Sequence, residues 1–305
     1  MIFSADVENT SKSKNEVILI FPIPPNSDYQ LLENLPDYNP KDCHIGFDDK
    51  FGNSYVYWRS SIPSHAARSF ALSFVAAVSP RRQAIDPAWR LKNYDYIKKT
   101  KNYSLYIKSN RYLNGVDRRI KIMADETVQG NDNLAKVALD LYEFTLRFLN
   151  YANPIAGLYS LDEVLEKRNV DCGGFASLLG SLYISMGIPA RVISGFWADS
   201  LQNGAEASQK MHAWLEILLP NGQWFPVDPS IGYLKRLDRT SRYGGFGFVG
   251  SDRIVFSFGE DIPLKAVDED LVVDILQNPV VIAQGGKDSV KTHIEIFTEE
   301  MKNNQ

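Results

Sequence analysis

The alternation of apolar and polar positions along the chain changes character twice. After a polar start (residues 1–14), read as a loose lead-in, "EVILIFPIPP" reads as a strand that stops at prolines. "YVYWRSSIP" and "RSFALSFVAAV" follow as short apolar and aromatic runs, with "FGNS" (51–54) as a tight turn. Residues 86–112, rich in Tyr and Lys, show little periodicity and read as a connector. Helical spacing then takes over. Ile120, Met123, Ala124 and Val128 mark one amphipathic helix; Leu134, Val137, Leu141, Phe144 and Phe148 mark a second. Ser160 and Glu163 form a capping-box pattern before a short helix. Phe175, Leu178, Leu179, Leu182, Tyr183 and Met186 lie on one helical face, closed by Gly187 and Pro189. Beyond residue 187 strands return: "ARVISGFW", "MHAWLEILL", "QWFPVD", "DRIVFSF" and "THIEIF". The order is α+β, with an all-β N-terminal domain and connector over 15–112 and a mixed core with C-terminal strands over 113–305.

Composition adds little to that picture and removes several functions. The chain has 305 residues, 44% hydrophobic and 23% charged, with a formal net charge of −4, and no basic stripe that would suit nucleic acid. No stretch reaches the ~20 apolar residues of a membrane span, and the start lacks a secretory pattern. Cytoplasmic location is the default expectation, alongside a processed secreted form. Cys43 and Cys172 are the only cysteines, too few for a disulfide framework or a Cys-rich zinc site. "GGFGFVG" (244–250) contains G-x-G-x-x-G but is followed by a strand pattern, so it reads as a mobile loop beside a cleft and not as a dinucleotide site.

Candidate chemistry centres on "NVDCGGFASLL" (169–179). Asp171 suits the N-cap, which puts Cys172 in the first turn of the helix. Unpaired N–H groups and the helix dipole favour an anion there and lower a thiol's pKa. Gly173 and Gly174 each cost ~1 kcal/mol against Ala in a helix. Ligand access is one reason to place them there, and close helix packing is another. The Cys172 N–H is a candidate oxyanion donor. Taken alone, a Cys at a helix start is more often a packed small residue.

A base and its orienter come from "KMHAWLEILLPNGQWFPVDPS" (210–230), read as a hairpin. A two-residue Asn221-Gly222 turn would put His212 and Asp228 on opposite faces. A three-residue loop, Pro220-Asn221-Gly222, makes them diagonal neighbours on one face. Pro at the second turn position and Gly at a left-handed bulge favour the longer loop. Asp228 then reaches one imidazole nitrogen and leaves the other for Cys172.

Together these motifs resemble the transglutaminase-like superfamily of cysteine enzymes. "VDCGGFASLLGSLYISMGIPARVISGF" (170–196), "HAWLEI" (212–217) and "WFPVDPS" (224–230) stand in the family's order. "FPIPPNSDYQ" (21–30) and "DDKFGNSYVYW" (49–58) resemble, more loosely, the β-sandwich that precedes this core in bacterial members. The resemblance implies a papain-like core, a Cys172-His212-Asp228 triad and acyl transfer through a thioester, without cofactor or metal. It implies an oxyanion-supporting side chain upstream of the nucleophile, for which Tyr151, read as the end of the preceding helix, is the candidate. Gly173, Trp214 and Glu216 join as supporting residues. Asp171 stands where many relatives have Gly, and Ser230 where many have Thr. The expected activity is hydrolysis of protein or peptide amides. Protein-glutamine cross-linking, related deglycosylating or acetyl-transfer chemistry, and a non-catalytic binding module that keeps the fold are the alternatives.

Overall fold

The computed structural model describes residues 1–198, 210–266 and 271–299. The protein is mixed α+β and divides into two compact units, one of residues 1–79, 194–211 and 252–305, the other of residues 80–193 and 212–251.

The first unit is built from two four-stranded antiparallel sheets. One runs in the order Val290–Phe297, Ile2–Asn9, Ala67–Ser73, Asp37–Asn39. The other runs Val280–Ala283, Asn15–Ile23, Ser54–Ile62, His44–Phe47. Phe3, Val7, Phe70 and Leu72 from the first share one core with Val17, Leu19, Phe21 and Trp58 from the second. Rings cross between them, Phe3 stacking on Phe21 at 5.1 Å.

The expected loose start at residues 1–14 is therefore corrected. Phe3, Ala5 and Val7 point inward while Ile2, Ser4, Asp6 and Glu8 point outward, the period of a strand with one covered face. Small Ala5 and the polar outward set hide that alternation in the sequence. The C-terminal strand Val290–Phe297 pairs with this first strand and belongs to its unit, whereas a linear reading put everything from 113 onward in one core.

The second unit carries the helices. Arg118–Val128, Leu134–Phe148 and Leu161–Lys167 pack around Cys172–Ser185. Ser160 and Glu163 form the expected capping box. Cys172–Ser185 is covered on all sides, more than the one-faced pattern predicts, because its polar positions are matched. Ser177 Oγ donates to Tyr159 O at 2.8 Å, and Ser181 Oγ accepts from Asn114 N at 2.8 Å. Gly187 (φ 77°) ends the helix, its N–H on Ile184 O and the Ile188 N–H on Tyr183 O, a Schellman closure. Residues 86–112 are not a plain connector. They hold a 3₁₀ turn, Leu91–Tyr96, and a short helix, Lys101–Tyr106, anchored by buried Tyr94, Tyr103 and Tyr106. Among the described residues no helix is long and apolar enough to cross a membrane.

Candidate active site

The hairpin adopts the three-residue loop. Leu215 pairs with Val227 and Leu218 with Trp224, and the Leu219 N–H reaches Gln223 O at 2.8 Å. Gly222 takes φ 85° and donates to Leu219 O, as a bulge glycine should. This register brings His212 and Asp228 together. Asp228 Oδ2 lies 2.8 Å from His212 Nε2, with both side chains buried. A carboxylate only accepts, so Nε2 carries the proton in this contact and Nδ1 is the accepting nitrogen of the neutral ring. Trp214 stacks on the imidazole at 5.6 Å between centroids with 20° between planes, which restricts ring rotation.

Asp228 also begins a helix. As N-cap of Pro229–Arg236 it accepts the Ile231 N–H on Oδ1 at 3.1 Å, and the helix N-terminus favours a negative charge there. The glycine-rich segment lies beside it, tied by backbone hydrogen bonds. Asp228 N donates to Gly245 O at 2.8 Å, Gly247 N donates to Pro226 O at 2.9 Å, and Phe248–Val249 pairs with Arg81–Arg82.

Cys172 opens its helix with Asp171 as N-cap, and the sulfur lies within reach of the Ala213 N–H, next in chain to His212. Both cysteines are free, and Cys172 is partly exposed. The expected lowering of its pKa is overturned. Burial pushes the thiol up, and the Asp171 and Asp228 carboxylates add to this, outweighing the Ala213 and Gly173 N–H groups. The helix N-terminus is already answered. Asp171 Oδ1 accepts from Gly173 N at 3.0 Å and Gly174 N at 3.3 Å, and Oδ2 accepts from Ile155 N at 2.8 Å. The Gly173 N–H is thus engaged by Asp171. The Gly pair serves packing: a Cβ on Gly174 would stand 2.4 Å from Val170 Cβ, and one on Gly173 would stand 3.1 Å from Leu158 Cδ2.

Tyr151 lies in a two-residue strand, Asn150–Tyr151, and not at a helix end; the helix stops at Phe148. That strand runs parallel to Asn169–Val170, directly before Asp171 and Cys172. Burial raises the Tyr151 phenol well above its ordinary range, and the neighbouring Cys172, Asp171 and Asp228 raise it further, so it remains an O–H donor. Glu216 is fully buried between Arg81 and Arg191, the latter at 2.8 Å through Nε. Burial opposes its ionisation, but the two guanidiniums win and hold the carboxyl below the usual range. Arg191 lies 3.9 Å over the Trp224 ring. The arginine partners, 135 and 25 residues away, left no local signal in the sequence. Among the described residues no three His, Cys, Asp or Glu side chains converge as metal ligands would. A surface groove of about 550 Å³, lined by Ile85, Leu139, Phe225 and Phe246 among others, includes none of Cys172, His212 or Asp228.

Comparison with known proteins agrees with this core. Residues 121–229 match the model of the transglutaminase-like superfamily, so this stretch is similar to that family's core. A crystal structure of a candidate cysteine protease from Cytophaga hutchinsonii shares the fold, with a TM-score of 0.59 at 13% identity, over 99% of this chain and 95% of that one. The periplasmic domain of TgpA from Pseudomonas aeruginosa aligns over 77% of this chain and 78% of that one at 18% identity, with a TM-score of only 0.36. The uncharacterized protein YebA of Bacillus subtilis is 25% identical over 173 residues, 51% of this chain. The chain spans only 24% of that relative's length.

Proposed function

We propose that the protein is a cysteine-dependent acyl-transfer enzyme that hydrolyses amides of proteins or peptides, with Cys172, His212 and Asp228 as its triad. The observation that carries this reading is the 2.8 Å His212 Nε2–Asp228 Oδ2 bond, which pairs the candidate base with the orienting acid that a triad needs.

Burial favours the neutral thiol of Cys172, so His212 acts as general base during attack. Cys172 Sγ adds to the amide carbonyl carbon as Nδ1 takes the thiol proton. The carbonyl oxygen gains the electron pair and meets the Tyr151 O–H and the Cys172 N–H. Collapse breaks the C–N bond, and the imidazolium gives its proton to the leaving amine. The thioester that remains is attacked by water, which His212 deprotonates. Collapse of this second adduct expels the thiolate, which His212 reprotonates, and releases the acid. Trp214 holds the ring and Glu216 holds the strand that carries it. Water at ~55 M outcompetes an amine unless the site binds that amine, so hydrolysis is favoured over cross-linking.

The test is acylation by p-nitrophenyl acetate, which needs no knowledge of the natural substrate. A burst of one p-nitrophenol per protein should accompany a hydroxylamine-sensitive acetyl group on Cys172, located by peptide mass spectrometry. His212→Ala should remove the burst. A wild-type protein that acquires no acetyl group on Cys172 would leave the binding-module reading in its place. Release of free acid from peptide amides, against transfer to an added primary amine, then separates hydrolysis from cross-linking.

A further inference from the structure

Ser230 is fully buried and sits in the first turn of the helix that Asp228 caps. Its hydroxyl donates to Asp228 Oδ1 at 3.1 Å, the same oxygen that takes the Ile231 N–H. The other carboxylate oxygen holds His212. On that side the loop closes in with Gly244, where a Cβ would come 3.0 Å from Oδ2. The carboxylate plane is therefore fixed from both ends, and the imidazole plane follows it.

We infer that Ser230 is a positioning residue, setting the orientation and basicity of His212 through Asp228; its bearing on catalysis rests on the triad proposed above. The two oxygens of Asp228 share one negative charge. A donor on Oδ1 draws charge toward that oxygen, so Oδ2 pulls less on the Nε2 proton. Without the hydroxyl, a carboxylate with no exposed surface loses a donor that bulk water cannot replace. Oδ2 then carries more charge and binds the imidazolium more tightly, and the ring gains freedom to turn with the carboxylate. Serine in this first turn is ordinarily just a tolerated helix-start residue. Here its hydroxyl points back two residues to the acid of the proposed triad.

The experiment follows the His212 imidazole by ¹⁵N-edited NMR across pH in wild type, Ser230→Ala and Ser230→Thr, with p-nitrophenyl acetate acylation measured on the same samples. In Ser230→Ala the His212 titration midpoint should move to higher pH, and the acylation rate should fall roughly three- to tenfold. Ser230→Thr, which keeps the hydroxyl, should restore both. If Ser230→Ala does not fold, Ser230→Cys, a weak donor, should show the same upward displacement in smaller measure. An unmoved His212 midpoint in the folded variant, or a displacement that threonine fails to reverse, overturns the inference, since a purely structural serine would alter stability alone. A displaced midpoint in a protein whose Cys172 is never acylated would instead sink the enzymatic reading and leave the Ser230–Asp228–His212 coupling standing.

Discussion

Glutamine in place of Glu216 keeps the shape of a fully buried side chain and removes its charge. Two guanidiniums, with Arg81 and Arg191 side chains only 12% and 13% exposed, then face a neutral amide. Breaking a buried pair by neutralising one partner costs about 3–5 kcal/mol. Arg81 keeps its bond to Trp224 O at 2.6 Å and Arg191 its stacking on Trp224, so the lower end, about 3 kcal/mol, is expected. With a urea m-value of about 2 kcal/mol/M, the midpoint should drop by about 1.5 M at pH 7. The pH dependence checks the cause. Glu216 ionises in the folded protein below its unfolded value of about 4.3, so its contribution is complete above that pH and disappears as pH falls through the folded value. The gap between wild type and Glu216→Gln should therefore be widest at neutral pH and close as the solution is acidified below about 4. Urea titrations at several pH values, read by Trp fluorescence, measure this. A gap under about 1 kcal/mol at pH 7, or one that persists unchanged to pH 3, would refute the ion-pair account. Folded Glu216→Gln should still be acylated at Cys172 within a fewfold of wild type, because Glu216 supports the strand and does not react.

Three further outcomes follow from the same geometry. Asp171→Asn keeps a good N-cap but removes a charge that raises the thiol pKa, so iodoacetamide labelling of Cys172 should begin at lower pH than in wild type. Gly174→Ala drives a methyl to within 2.4 Å of Val170 Cβ and should cost about 1–3 kcal/mol in urea unfolding, with a loss of acylation as the helix start shifts. Gly222→Ala strains a φ of 85° at the hairpin tip and should cost about 1 kcal/mol while leaving the His212 titration in place.

The hairpin was the most legible part of the site, because one choice of turn chemistry fixes every pairing after it. Pro220, Asn221 and Gly222 suffice to bring His212 and Asp228 onto one face. Helix caps were legible for the same local reason: Ser160 with Glu163, Asp171, and Gly187 before Pro189. What escaped depends on partners distant in sequence. The direction of the Cys172 thiol shift turns on Asp171 taking the free N–H groups and on burial, and neither can be read from a helix pattern. The glycine segment's hold on Asp228 and the burial of Tyr94, Tyr103 and Tyr106 come from tertiary contacts. The strand Ile2–Asn9 needed its partner strands to be recognised as more than a polar start.

That strand has a bearing on biosynthesis. Ile2 pairs with Phe297 and Asn9 with Val290, so this strand is synthesised about 280 residues before the partner that completes its side of the sheet. Until then the strand has an open edge along which another chain can pair. Contacts of such long sequence separation form slowly, because the intervening loop must be closed first. Residues 80–193 are complete well before that moment, so the sandwich is the step at which a nascent chain is most exposed to misassembly.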